Sequence, residues 1–234
     1  MELYSNPPLD FSNTPPLHLF STPPTTMSLS PNQVRLMMLK VADAIIEAEP
    51  MLSQADRDLG DGDHGLGMQR GMEAVKVQLE KLEPTTVEQV FVTTGTAMMT
   101  SMGGASGAIF GTLFRAGGKA LATAGRFDPP DLPLFLEAAA EGIMKRGGAK
   151  PGDKTMLDAL VPAAEKAKEV TNLPLPEALT AIAAAAEAGK EASKAMIAQF
   201  GRAKTLGEAC IGVPDAGACS VVVMLNAMRD FVQS

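Results

Sequence analysis

From Ser30 to the end of the chain, apolar side chains recur three and four residues apart between Gly, Pro and Asp stops, and no stretch alternates convincingly with period two. That spacing restricts the chain to helix packed on helix, because a helix buries one stripe and a strand buries every second residue. Ser30-Pro31-Asn32-Gln33 reads as a capping box with proline at the first helical position, followed by Val34, Met37, Met38, Val41 and Ile45, with Pro50 closing the helix. Met68, Met72, Val75, Leu79 and Leu82 mark a second helix. Thr86-Val87-Glu88-Gln89 caps a third, with Val90, Phe91, Thr94, Ala97 and Met98 on its apolar face. Further helices fit 105–124, 131–146, 153–170, 176–200 and 215–232. Val221-Val222-Val223 suits a short strand locally, but Asp215 as a cap and Val221, Leu225, Met228 and Val232 at helical spacing favour a helix. The expected fold is all-α, a bundle of about eight helices without a sheet, with methionine and alanine filling the core.

With 234 residues, 46% of them hydrophobic, the chain can bury a single large core. A net charge of −7 argues against nucleic acid and anionic membrane surfaces as partners, both of which require a basic face. The apolar runs are too short to cross a bilayer. Cys210 and Cys219 lack metal-ribbon spacing and read as reduced thiols of a cytoplasmic protein. Residues 1–26 differ in kind: Pro-Pro pairs recur at 7–8, 15–16 and 23–24, with no Lys or Arg. This segment is expected to be a disordered Pro-rich extension, or the product of an upstream start with Met27 as initiator, ahead of one helical domain over 27–234; a docking peptide is the alternative.

The densest chemistry lies in "LGDGDHGLGM", residues 59–68. Gly60, Gly62 and Gly65 formally match a dinucleotide fingerprint, but "LSQADRD" is no buried strand, and carboxylates facing a pyrophosphate repel it unless a metal intervenes. An EF-hand fails because Gly65 and Met72 fall where oxygen ligands belong. Zinc fails because the only other histidine is His18. Asp56, Asp61 and Asp63 remain as hard oxygen donors on a glycine loop entering a helix, a pattern suited to Mg²⁺ bridging phosphates. The plainer alternative is a solvated acidic turn that caps the helix.

Two other glycine clusters bear on phosphate. "SMGGASGAIFG", 101–111, offers backbone N–H groups and Ser106 ahead of an apolar helix, or merely a tight connection. "RGGAKPGDKTM", 146–156, resembles a Walker loop with a residue too many, interrupted by Pro151 and preceded by no strand. Asp153 is expected to cap the helix that begins there.

Taken in order, "GDGDHG", "GGASG", "GDKTM" and "GRAKTLGEACIGVPDAGA" (201–218) resemble the nucleotide-binding, DhaL-type subunit of dihydroxyacetone kinases, from about Met27 to the C-terminus. The resemblance implies a closed barrel of eight antiparallel helices with ADP or ATP at one end. It assigns Asp56, Asp61 and Asp63 to two Mg²⁺ ions, and His64, Gly65, Leu66 and Gly67 to the lining of the same site. Ala105 and Ser106 match the phosphate-contacting turn, Gly147 and Met156 border the adenine, and Arg202 with Asp215-Ala216-Gly217 completes the nucleotide contacts. Asp61, Asp63, His64 and Arg202 form the implied catalytic set; a solvated helix-end charge is the plainer alternative for Arg202. Gly67, Val213 and Ala216 stand where the family often has Asn, His and Pro.

The implied reaction is phosphoryl transfer to dihydroxyacetone, or a related ketose such as erythrulose, held covalently on a DhaK-type partner. ADP is then a retained cofactor recharged by a DhaM-type phosphotransferase-system subunit, or ATP is a consumed substrate. A regulator that binds a transcription factor is the competing class.

Overall fold

Ser30 starts the first helix in the way its sequence dictates: Ser30 Oγ accepts from Gln33 N (3.3 Å) while Gln33 Oε1 accepts from Ser30 N (2.9 Å). The computed structural model describes Met1 and residues 27–234; the Pro-rich segment and His18 lie outside the described residues. Nine α-helices follow: α1 (Pro31–Glu47), α2 (Glu49–Arg57), α3 (His64–Glu80), α4 (Val87–Ser101), α5 (Gly104–Ala120), α6 (Asp131–Gly147), α7 (Leu157–Glu169), α8 (Leu175–Ala192) and α9 (Ala216–Gln233). Two 3-10 segments, Ser193–Ala195 and Arg202–Cys210, lie between α8 and α9. The extended pairing among the described residues is an isolated bridge, Leu29 to Phe127, so the all-α reading holds.

The helices close a ring. α1 packs on α3, each helix from α3 to α9 packs on the next, and α9 returns to α1. The short α2 stands beside this ring against α3 and α9. Close approaches set the directions: Met102, just past the end of α4, lies on Gly71 in α3, and Phe91 near the start of α4 lies on Gly118 near the end of α5. Neighbouring helices are therefore antiparallel, and the N-termini of α3, α5, α7 and α9 share one pole. Met37, Met38, Met68, Met72, Leu79 and Met98 are fully buried in the interior. Toward the opposite pole Phe91 stacks against Phe127 and Phe135, with ring centroids 5.7 and 4.5 Å away.

Several boundaries differ from those the sequence pattern predicts. Pro50 does not end α1, which stops at Glu47; it occupies the first turn of α2, where its fixed φ is suitable and its missing N–H would have had no partner. Asp153 does not cap α7: its Oδ2 accepts from Lys150 N (2.8 Å), while the helix starts at Leu157 and Asp158 takes Thr155 N (2.7 Å) and Gly152 N (2.6 Å). The helix expected over 176–200 stops at Ala192, after which the chain leaves the ring until Asp215. Asp215 does cap α9, accepting from Ala218 N at 2.8 Å, and Val221, Val222 and Val223 are helical. Cys210 and Cys219 are free and buried, and no described helix is long and apolar enough to cross a membrane.

Candidate functional site

The acidic loop at the shared pole is built around the gap between α2 and α3. Asp56, in the last turn of α2, accepts from His64 N with Oδ2 (3.1 Å) and so caps α3 from the preceding helix. Asp63 occupies the N-cap position but makes no capping bond, which leaves its oxygens free. Gly62 turns the loop at φ +75°, where a Cβ would strike the Arg57 side chain. The result is a cluster in which one oxygen each of Asp56, Asp61 and Asp63 lies within 4.8 Å of the others. Asp61 also pairs with Arg202 Nη1 at 2.5 Å. Unit charges about 4 Å apart repel by about 1 kcal/mol even in water, so three carboxylates against one guanidinium favour a multivalent cation. Hard carboxylate oxygens, two of them on exposed residues, fit Mg²⁺, which keeps places for water or phosphate. Part of the simpler account also holds, since Asp56 is a helix cap; Asp61 and Asp63 are not accounted for by capping.

His64 turns inward. It is 9% exposed, its Nε2 lies 2.8 Å from Ser220 Oγ, and its ring lies 5.7 Å from that of Phe110. Burial lowers its pKa, with Asp56, Asp63 and the Ala216 backbone pulling the other way. The imidazole thus ties α3 to α5 and α9 directly beneath the carboxylates. Gly65 follows because a Cβ there would collide with the Glu49 carbonyl and Ser53 of α2. Leu66 is exposed, and Gly67 faces the end of the Met102 side chain.

The other glycine turns reach the same pole. Gly103, the N-cap of α5, and Gly104, its first residue, adopt φ +74° and +59°, leaving Ala105 and Ser106 exposed in a first turn whose N–H groups have no helical acceptor. Gly147 ends α6 against Ile109 of α5, followed by left-handed Gly148. Met156 is buried against Gly217, where an added Cβ would lie 3.2 Å from that of Met156. Asp215 is held by its cap, and burial first, then Asp158, pushes its carboxyl up to about 7. The structure therefore groups Asp56, Asp61, Asp63 and Arg202; places His64 with Ala216 below them; and sets Met156 with Asp215 and Gly217, with Ala105, Ser106 and Gly147 on the α5–α6 side.

Two residues of the site, Ser220 and Lys154, carry little signal in the sequence. Ser220 is one turn into an apolar helix, with nothing around it to mark a histidine partner. Lys154 was visible only as the lysine of an imperfect Walker loop, yet it is buried and donates to Ser193 O and Val213 O, each at 2.6 Å.

Fold and site together define a class: a closed antiparallel helical barrel with a cation-ready carboxylate loop and several helix N-termini at one pole. Residues 58–230 match the DAK2 domain, and the chain belongs to that family. It is similar to the ADP-binding DhaL subunit of the PEP-dependent dihydroxyacetone kinase of Escherichia coli K12, 36% identical over 204 residues, covering 86% of this chain and 97% of that subunit. It is also similar to D-erythrulose kinase of Mycolicibacterium smegmatis, 35% identical, covering 82% of this chain but 34% of that enzyme. Among solved structures, the dihydroxyacetone kinase of C. freundii in complex with AMP-PNP and Mg²⁺ superposes with a TM-score of 0.65 at 25% identity, over 96% of this chain and 38% of that one.

Proposed function

We propose that this chain is the nucleotide-binding subunit of a dihydroxyacetone-type kinase, holding ADP or ATP through Mg²⁺ at the carboxylate pole. The observation that carries the reading is the convergence of Asp56, Asp61 and Asp63 beside the start of α3, with Arg202 against Asp61. Mg²⁺ would neutralise phosphate charge and orient the transferring group. Asp56, Asp61 and Asp63 would hold it, as two ions, while the open first turn of α5 at Ala105 and Ser106 would take phosphate oxygens through backbone N–H groups. Gly147 and Met156 would border the adenine, and the Asp215-Ala216-Gly217 turn would complete the nucleotide contacts. Gly65, Leu66 and Gly67 would belong to the lining of the same site at the start of α3, and buried His64 keeps the α3 and α9 ends in register. Arg202, paired with Asp61, would meet charge developing on the phosphoryl group.

The phosphoryl acceptor in this reading is a short ketose held on a DhaK-type partner, consistent with a chain whose only described histidine is His64. Relatives named as ADP-binding subunits of PEP-dependent kinases support retained ADP over exchange of ATP, and a DhaM-type donor would then recharge it in place. Native mass spectrometry of the purified protein with Mg²⁺ and ADP, then after dialysis against ATP, tests this. ADP with two Mg²⁺ that resists exchange is the expected result. Ready exchange overturns the retained-cofactor version, and absence of any nucleotide overturns the function itself. Asp61→Asn is expected to abolish binding while keeping the helical circular dichroism signal.

A further inference from the structure

Between α8 and α9 the chain leaves the barrel for about twenty residues, and both ends of that excursion meet on one side chain. Lys154, 2% exposed, donates from Nζ to Ser193 O where the excursion begins and to Val213 O where it ends, each at 2.6 Å. Three further bonds complete the stem: Gly212 N to Lys194 O (2.8 Å), Asp215 N to Ser193 Oγ (3.1 Å), and Gln199 N to Asp153 O (3.0 Å). Lys154 also has φ +58°, the only non-glycine in the left-handed region among the described residues. A buried ammonium and a left-handed backbone are each unfavourable alone, and their coincidence marks a residue that its surroundings force into place.

The excursion needs such a fastening because little else holds it. Its own apolar cluster is small, Ala198 and Cys210 against Leu59 of the acidic loop, with Ala203 and Val213 beside them. Ile197, Phe200, Leu206 and Ile211 are exposed. Arg202 rides on it with its side chain 68% exposed, and an ion pair that open to water fixes nothing by itself. A solvated arginine keeps its place only if the backbone beneath it is fixed.

We propose that Lys154 is a positioning residue that closes the stem of the 194–213 excursion and so holds Arg202 against the carboxylate pole. The inference rests on the reading of that pole as the Mg²⁺–nucleotide site.

Amide hydrogen exchange and Mg²⁺–ADP dissociation kinetics on the full chain test it, using wild type, Lys154→Met, Arg202→Ala and the double variant. Lys154→Met is expected to speed exchange over 196–212 by about tenfold or more while the barrel helices keep their protection. It is expected to speed Mg²⁺–ADP dissociation by about tenfold in the wild-type background and to add less than about twofold on Arg202→Ala, because it acts through that arginine. Wild-type exchange in Lys154→Met, or effects that multiply in the double variant, overturns the proposal. Should Lys154→Met fail to fold, the wild-type amides of Gln199, Gly212 and Asp215 decide: opening together at lower energy than the barrel supports the clamp, and exchange only with global unfolding overturns it. If wild type binds no Mg²⁺–ADP, the functional reading fails, while the exchange result still decides whether Lys154 fastens the stem.

Discussion

Asp215 and His64 carry opposite acid–base consequences. Burial raises Asp215 to about 7 from an ordinary 3.8, so the folded state binds a proton that the unfolded chain releases between these values. The stability this contributes is fully present below about pH 4 and is lost as pH rises through about 7. Asp215→Asn keeps a capping oxygen and is expected to flatten that part of the pH dependence, seen as a smaller drop in urea midpoint from pH 5 to pH 8 than in wild type. His64 is depressed by burial, so its contribution is present above its ordinary 6.5 and is lost as acid protonates it. Gly189 offers a purely packing test. A Cβ there would collide with the Asp158 carbonyl across the α7–α8 contact, so Gly189→Ala should cost about 1–3 kcal/mol in chemical denaturation.

At the scale of elements, the acidic loop divides its labour between the two sides of the α2–α3 junction. Asp56→Ala removes the bond to His64 N and should lower stability by about 0.5–2 kcal/mol. Asp63→Ala removes no cap and relieves repulsion, so without Mg²⁺ its melting temperature should equal or exceed that of wild type. Wild type should gain thermal stability with added Mg²⁺ and ADP, and the Asp63 variant much less. The long helices were legible in the sequence because caps such as Ser30 and Thr86 coincide with the onset of 3.6-residue periodicity. α2 was not: it has nine residues, a proline in its first turn and a polar end, so no apolar stripe announces it. The end of α8 was hidden for the opposite reason, since alanine-rich sequence continues past Ala192 and nothing local marks the departure. The proximity of Asp56, Asp61 and Asp63 was readable because short glycine-separated spacing nearly enforces it. The fastening by Lys154 was not, because its acceptors are backbone carbonyls, which leave no signature in residue type.

For the whole molecule, the ring of α1 and α3–α9 makes each helix answerable chiefly to its neighbours, with the α1–α9 contact as the seam that closes it. Arg35 in α1 reaches Leu79 O at the far end of α3, and Gln233 in α9 reaches Thr180 in the first turns of α8. α1 therefore begins, and α9 finishes, at the pole remote from the carboxylates. The connection between α5 and α6 lies at that same remote pole, where Phe127 pairs with Leu29. The barrel is thus cyclic in connectivity as well as in shape. A permuted chain, with a flexible linker joining the end of α9 to Ser28 and new termini opened at exposed Gly125, threads the same ring without crossing the functional pole. Such a permutant should bind Mg²⁺–ADP with wild-type affinity by calorimetry, so that fusion partners can be attached at either of two places without obstructing the site.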